Sequence, residues 1–396
     1  MRPPLTAGDD APQTPQADQS PEPSQVIRAG SPPALLAIVP HLVGFVPEAS
    51  IVVIGTSPPR DRIRVTLRYD LPDPPGVGIS SDLAAHAVGI LGDQRLPGAA
   101  AVGYGPEALV TPVAQALREA AGLAGIALHD ILRVENGRYW SYLCGHETCC
   151  PAVGEPFDAS THPASAAMAS TGSQVLAGRA AVAARVAPVG YIAAESMRQA
   201  TRRAERHVAR LLAKVRTSSR IGAARRMIAA EGLAAVGAMI IRYRGGGRFT
   251  SDYEVARITV ALHDLRVRDD AWARMDPAHA DAHQRLWIDV VRRAQPGHVA
   301  APAALLAFVA WQSGDGALAN VALDRALADD SRYSMALLLR QVISAGAPPA
   351  LARLPMTPEE VAASYAGADD EPRPGAEGAD RDLDIDDHDP EPDDEG

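Results

Sequence analysis

The sequence predicts an α/β domain with a mixed sheet, followed by an all-α half containing a tetratricopeptide-like helix pair, with disordered termini. Three observations predict this. β-Branched runs alternate with helix signals up to about residue 160, and from there to about 356 the strand pattern is almost gone. The two ends are low in apolar residues: 1–30 is rich in Pro, Gln, Ser and Asp, and 357–396 becomes densely acidic. The expected organisation is a disordered segment 1–30, an α/β domain 31–160, a helical domain 161–356 and a disordered tail 357–396.

Ser31-Pro32-Pro33 opens an apolar helix to about His41. IVVIG (51–55) and IRVTLRY (63–69) are strand runs separated by a Pro-Pro-Arg-Asp turn. Ser81-Asp82 is read as the cap of a helix to about Leu91. AAAVGYG (99–105) is a short buried strand, and Pro106-Glu107 starts the next helix. ALHDILRVE (127–135), Asn136-Gly137 and RYWSYLC (138–144) form a hairpin, because Asn and Gly both accept the positive φ of a tight type I′ turn. Strand–helix–strand–helix–strand in the middle implies parallel pairing there, with antiparallel hairpins at either end. Beyond 160, helices are expected at 162–171, 177–186, 191–215, 218–242, 252–265, 277–294, 302–313, 317–329 and 333–345. Alanine, the best helix former, occurs 75 times and supports this.

The net charge of −10 is unevenly placed. Residues 369–396 hold 14 acidic and two basic side chains, so the rest is slightly positive. Of 38 basic residues only Lys214 is a lysine. A P-loop, a protein-kinase site or a pyridoxal Schiff base would each need that residue, and it sits in AKVR with no glycine-rich loop before it. Those classes are excluded, and no G-x-S-x-G nucleophile elbow occurs. The N-terminus has no apolar signal segment and no apolar run is long enough to span a bilayer, so a cytoplasmic, non-membrane protein is expected.

Gly314, Ala319, Ala326, Leu327, Asp330 and Ala336 stand at the spacings of the small and turn residues of one tetratricopeptide unit, with Trp311 and Tyr333 beside them. Such a pair is a docking surface or plain alanine-rich core. PHLVGFVPEASIVVIG, LRYDLP, VGYGP, ENGRYWSYLC with CCP, RVRDDAW and AWQSGDGALANVALDRALADDSRYSMA resemble an actinobacterial family classed as a domain of unknown function, numbered 4192. The resemblance covers about 31–355. It implies a shared fold and brings no activity with it.

Cys144, Cys149 and Cys150 fall within seven residues, with His146 and Glu147 between them and His162 beyond. Thiolate and imidazole suit zinc, which takes four ligands at about 2.0–2.3 Å. Adjacent Cys149 and Cys150 are not expected to reach one ion easily, and a redox pair or a structural thiol cluster are the alternatives. Arg198, Arg202, Arg206, Arg210 and Lys214 recur every fourth residue and form one stripe, drifting by about 40° per step around a helix. The stripe is a solvated face, a nucleic-acid or other polyanion contact, or a dock for the acidic tail. Weaker candidates are Asp70 at the end of its strand and Gly103-Tyr104-Gly105 at a helix N-terminus, where N–H groups favour anions. RYRGGGRF (242–249) and the i, i+4 pair His279 and His283, read as surface histidines, complete the set.

The expected function is that of a non-catalytic binding or regulatory protein whose helical half recruits a partner, most naturally a protein. The alternative is an enzyme or ligand-binding module with a pocket at the carboxyl edge of the sheet, drawing on Asp70, Gly103 and the Cys144–Cys150 loop.

Overall fold

The computed structural model describes residues 29–213, 218–349 and 356–366. The segments expected to be disordered therefore lie largely outside the described residues, as does Lys214.

Six strands form one mixed sheet in the order β2-β1-β3-β4-β5-β6: β1 (Ser50–Ser57), β2 (Arg62–Asp70), β3 (Gly98–Tyr104), β4 (Ala127–Glu135), β5 (Arg138–Ser141) and the short β6 (Glu155–Pro156). β1 is antiparallel to both β2 and β3, while β3 and β4 are parallel. β2, β3 and β4 thus point the same way and end at one edge. The turn between β4 and β5 has φ of 50° at Asn136 and 72° at Gly137, as the Asn-Gly signal requires.

Alternation along the strands divides the core. Ile51, Val53, Ala99, Ala101 and Ile131 face one side, under α2 (Val77–Asp93) and α3 (Glu107–Leu123). Val52, Ile54, Ala100, Val102 and Leu132 face the other, under α1 (Pro32–Val43). The Ser31 hydroxyl caps α1, and Gly44 stops it with φ of +85°. Residues Ala34 to Pro40 are all buried because a further helix, α4 (Pro163–Ser170), covers the outer side of α1. Ala164 and Met168 join the α1-side core, so the helix that follows the expected boundary at 160 packs with the first half. α2 also starts earlier than expected. It begins after Gly76, and Ser81-Asp82 lies inside it rather than capping it.

The remaining described chain is helical: α5 (Arg179–Arg185), α6 (Tyr191–Ala213), α7 (Ser218–Arg244), α8 (Asp252–Ala261), α9 (Leu265–Ala273), α10 (Ala280–Arg293), α11 (Ala300–Gln312), α12 (Gly316–Asp329), α13 (Ser334–Ser344) and α14 (Pro358–Ala366). Two helices depart from expectation. The run at 252–265 breaks after Leu262, and the Asp264 carboxylate caps a separate helix, α9, by accepting the Arg266 N–H. Residues 358–366, expected in the disordered tail, form α14, which rests on α9 with Val361 buried and the Tyr365 hydroxyl donating to Asp269.

The helical core is centred on Trp287, Leu286, Val290, Leu262 and the apolar α11, buried at every position from Ala300 to Trp311 except Ala301. Gly314, with φ of +81°, turns α11 into α12, and Ala319, Ala326 and Ala336 are fully buried. The halves interlock at Phe45. Its chain pairs with Leu176 through two 2.9 Å backbone bonds, and its ring is buried in the helical core.

Candidate functional site

α6 is amphipathic at helical spacing. Met197, Thr201 and Ala204 are buried against α8 and neighbouring helices, which turns Arg198, Arg202, Arg203, Arg206 and Arg210 outward. Arg198 pairs with Glu195 on its own helix, and Arg203 stacks 4.4 Å from the Tyr253 ring centre. Arg202, Arg206 and Arg210 have no acidic partner among the described residues. Arg203, Arg206, Ala209, Arg210 and Ala213 line an open hollow of about 560 Å³. Each i, i+4 step advances the guanidinium row by about 6 Å along the axis. The other acid on α6, Glu205, turns away and accepts from His298 at 3.0 Å.

The carboxyl edge of the sheet brings some predicted residues together and separates others. Ser50 is the register partner of both Asp70 and Tyr104, so the ends of β2 and β3 flank β1. Asp70 is two-thirds exposed and is held by Arg68 at 2.6 Å and Arg179 at 3.6 Å. The Tyr104 side chain lies under α1, and burial pushes its phenol far above the usual range. Gly103 faces α3, where an added Cβ would stand 2.3 Å from Val110 Cγ1. The Gly105 N–H donates to the Val134 carbonyl at 3.0 Å, so it is already used within the sheet. These two glycines serve packing and pairing in this fold. The cysteine loop leaves β5, and β1, β3 and β4 stand between β2 and β5. At about 4.8 Å per strand, that puts β5 roughly 19 Å across the sheet from β2.

The loop after β5 is built on a polar relay. Asp130 accepts from the Ile131 N–H and from the Ser141 hydroxyl at 2.7 Å, and the Ser141 oxygen accepts the N–H groups of Leu143 and Cys144. The His146 carbonyl then accepts the N–H groups of Cys149 and Cys150, closing a tight turn. As a result the sulfurs of Cys144, Cys149 and Cys150 all lie within 4.8 Å of one another, with Cys144 and Cys149 at 3.2 Å. The adjacent cysteines do converge, against the sequence expectation, because the turn after His146 folds both back toward Cys144. His146 and Glu147 fall outside the group, and His162 caps α4 instead, accepting the Ala164 N–H. Hydrogen bonds from Cys150 first, then the His146 backbone and Cys149, lower the Cys144 thiol below its usual range. The donors rise, Cys150 to about 12. Three sulfurs so placed could hold a metal such as zinc.

The helical half holds its histidines differently from expectation. His283 is buried rather than on the surface, 3.3 Å from Arg244, while the exposed His279 bonds Asp276 at 2.8 Å. Burial, with Arg244 second, lowers His283 to about 4. Arg242, of the basic glycine loop, is held by Glu254 through two bonds of 3.0 and 2.9 Å. Sequence reasoning missed the chain Glu205–His298–His263, closed by a 2.7 Å contact between the two rings. Its members come from α6 and two separate interhelical turns, and no spacing rule links them.

Among the described residues, no helix is long and apolar enough to cross a membrane. Comparison with curated proteins and with solved structures returns no match. Residues 32–350 match the family described as Domain of unknown function (DUF4192). The mixed sheet, the helices from α1 to α13 and the cysteine loop all lie within that span, and the chain belongs to this family.

Proposed function

We propose that this is a non-catalytic binding protein whose helical half recruits a partner protein by an acidic segment, docked along the arginine face of α6. The observation that carries this reading is the row Arg202, Arg206 and Arg210, outward-facing and without an acidic partner among the described residues. A planar guanidinium offers a fork of donors that fits a carboxylate, and three in a row match an extended acidic segment. Among the described residues, the aromatic ring stacked on an arginine of α6 is Tyr253, which already lies under Arg203 and is not open to base stacking. This favours carboxylates over a nucleic acid.

The α11–α12 pair is read here as a single tetratricopeptide-like unit in a structural role. Its first helix is buried at nearly every position. That moves the docking role from the pair, where the sequence suggested it, to α6. The alternative of a pocket at the sheet edge is disfavoured by the separation of Asp70 from the cysteine loop and by the occupied Gly105 N–H.

The test is fluorescence anisotropy of a labelled glutamate-rich peptide and of a single-stranded oligonucleotide of equal charge, each titrated with the full chain at low salt. Tighter binding of the peptide is expected. No peptide binding, or tighter binding of the oligonucleotide, overturns the reading.

A further inference from the structure

We propose that Cys144, Cys149 and Cys150 form a three-sulfur zinc site whose fourth coordination position is open to an external ligand. Several observations point this way. The three sulfurs already lie within 4.8 Å of one another, whereas tetrahedral zinc with Zn–S bonds near 2.3 Å needs sulfurs about 3.8 Å apart. Small side-chain rotations therefore bring all three into range. No histidine or carboxylate of the loop belongs to the group, and the histidine next in sequence, His162, is engaged as a helix cap.

The protein thus supplies three donors where a closed structural site supplies four. Cys149 is exposed and Cys144 and Cys150 are half-buried, so an ion and an outside ligand reach the sulfurs from solvent. The fourth ligand is water or an external thiolate, the latter matching the soft character of the donor set.

The supports are in place behind the ligands. Asp130 fixes Ser141, whose oxygen holds the Cys144 N–H at 3.0 Å, and the His146 carbonyl fixes Cys149 and Cys150. Outer contacts of this kind orient ligands and typically change metal affinity by about 10- to 100-fold when removed. Ser141 is a positioning residue in this sense. His146 contributes its carbonyl to the turn, and its ring stays outside the coordination sphere.

Cobalt(II) serves as the spectroscopic probe, titrated into the reduced full chain under argon, with zinc in competition. One equivalent of cobalt should bind with thiolate charge-transfer bands scaled to three sulfurs, and zinc should displace it. Cys144→Ser, Cys149→Ser and Cys150→Ser should each lose at least about 10-fold in affinity, on the scale of a lost outer support or more. His146→Ala should retain both spectrum and affinity, and adding a small thiol should shift the bands. Ser141→Ala should weaken binding, with Ser141→Thr restoring it. Circular dichroism and the urea midpoint, unchanged in the three cysteine variants and in His146→Ala, separate ligand loss from misfolding. The proposal is overturned if the reduced protein takes up no cobalt or zinc, if His146→Ala removes a ligand band, or if a small thiol leaves the spectrum unmoved.

Discussion

Asp70, at the end of β2, and Asp324, on α12, share one guanidinium: Arg179 of α5 lies 3.6 Å from the first and 2.9 Å from the second. Arg340 reaches Asp324 as well, at 2.8 Å. A residue that the sequence marks for chemistry thus sits in an ion-pair chain joining the two halves. Because Asp70 is 68% exposed, the contribution is small. Asp70→Asn should change urea-unfolding stability by less than about 1 kcal/mol.

Gly103 is a packing residue. Gly103→Ala forces a methyl group against Val110 inside a closed layer and should cost about 1–3 kcal/mol. Adding Val110→Ala should recover part of that loss, a coupling that a double-mutant cycle by thermal unfolding measures directly. Additive losses would place the cost elsewhere.

The fold was legible where local rules and tertiary demands agree. The Asn136-Gly137 turn, the Pro-opened α1 and the β-branched run of β1 can each be read from residue type and backbone preference alone. The break between α8 and α9 was not legible, because ALHDLRVR is a good helix by propensity and only the Asp264 cap divides it. Nor was α14, whose PEEVAASYA looks like part of a polar tail until Val361 and Tyr365 meet α9. At the candidate sites, the outward arginine stripe followed from spacing. The convergence of three cysteines depended on the Asp130–Ser141 relay, which no local motif encodes.

Asp329 anchors the buried α11 from outside its own helix. Its carboxylate accepts the N–H groups of Gly297 at 2.7 Å, Val299 at 2.8 Å and Ala300 at 3.0 Å. Val299, at the cap position, offers no side-chain acceptor. Asp329→Ala should therefore cost roughly 2 kcal/mol, the upper range for a lost cap, and Asp329→Asn less, since one oxygen remains to accept. Chemical denaturation of the two variants distinguishes a cap from a mere surface charge.

His283 makes stability depend on acidity. Its folded value near 4 lies below the ordinary value of 6.5, so below about pH 6.5 the unfolded chain takes up a proton that the folded chain refuses. Its contribution is full above pH 6.5 and is lost as pH falls toward 4, by an amount on the order of 3 kcal/mol. His283→Gln should flatten the stability profile in that window. An unchanged slope would assign the acid sensitivity to other groups.

The segment 367–396 carries the acidity of the chain and begins where α14 ends. Its sequence has the same acidic chemistry as the proposed partner segment. A chain ending at residue 366 should bind a glutamate-rich peptide more tightly than the full chain at low salt. The difference should vanish near 1 M salt, where screening shortens to about 3 Å. Equal affinities at low salt would show that the tail does not compete.

The central claim, that the arginine face of α6 is the docking surface, is tested most directly by the triple variant Arg202→Ala, Arg206→Ala and Arg210→Ala. Alanine preserves the helix, and all three side chains point to solvent, so folding should be unaffected. Titration of the labelled acidic peptide over a range of salt should show at least about a 10-fold loss in affinity for the variant, together with a shallower salt dependence. An unchanged affinity and salt dependence in a folded triple variant would contradict the account.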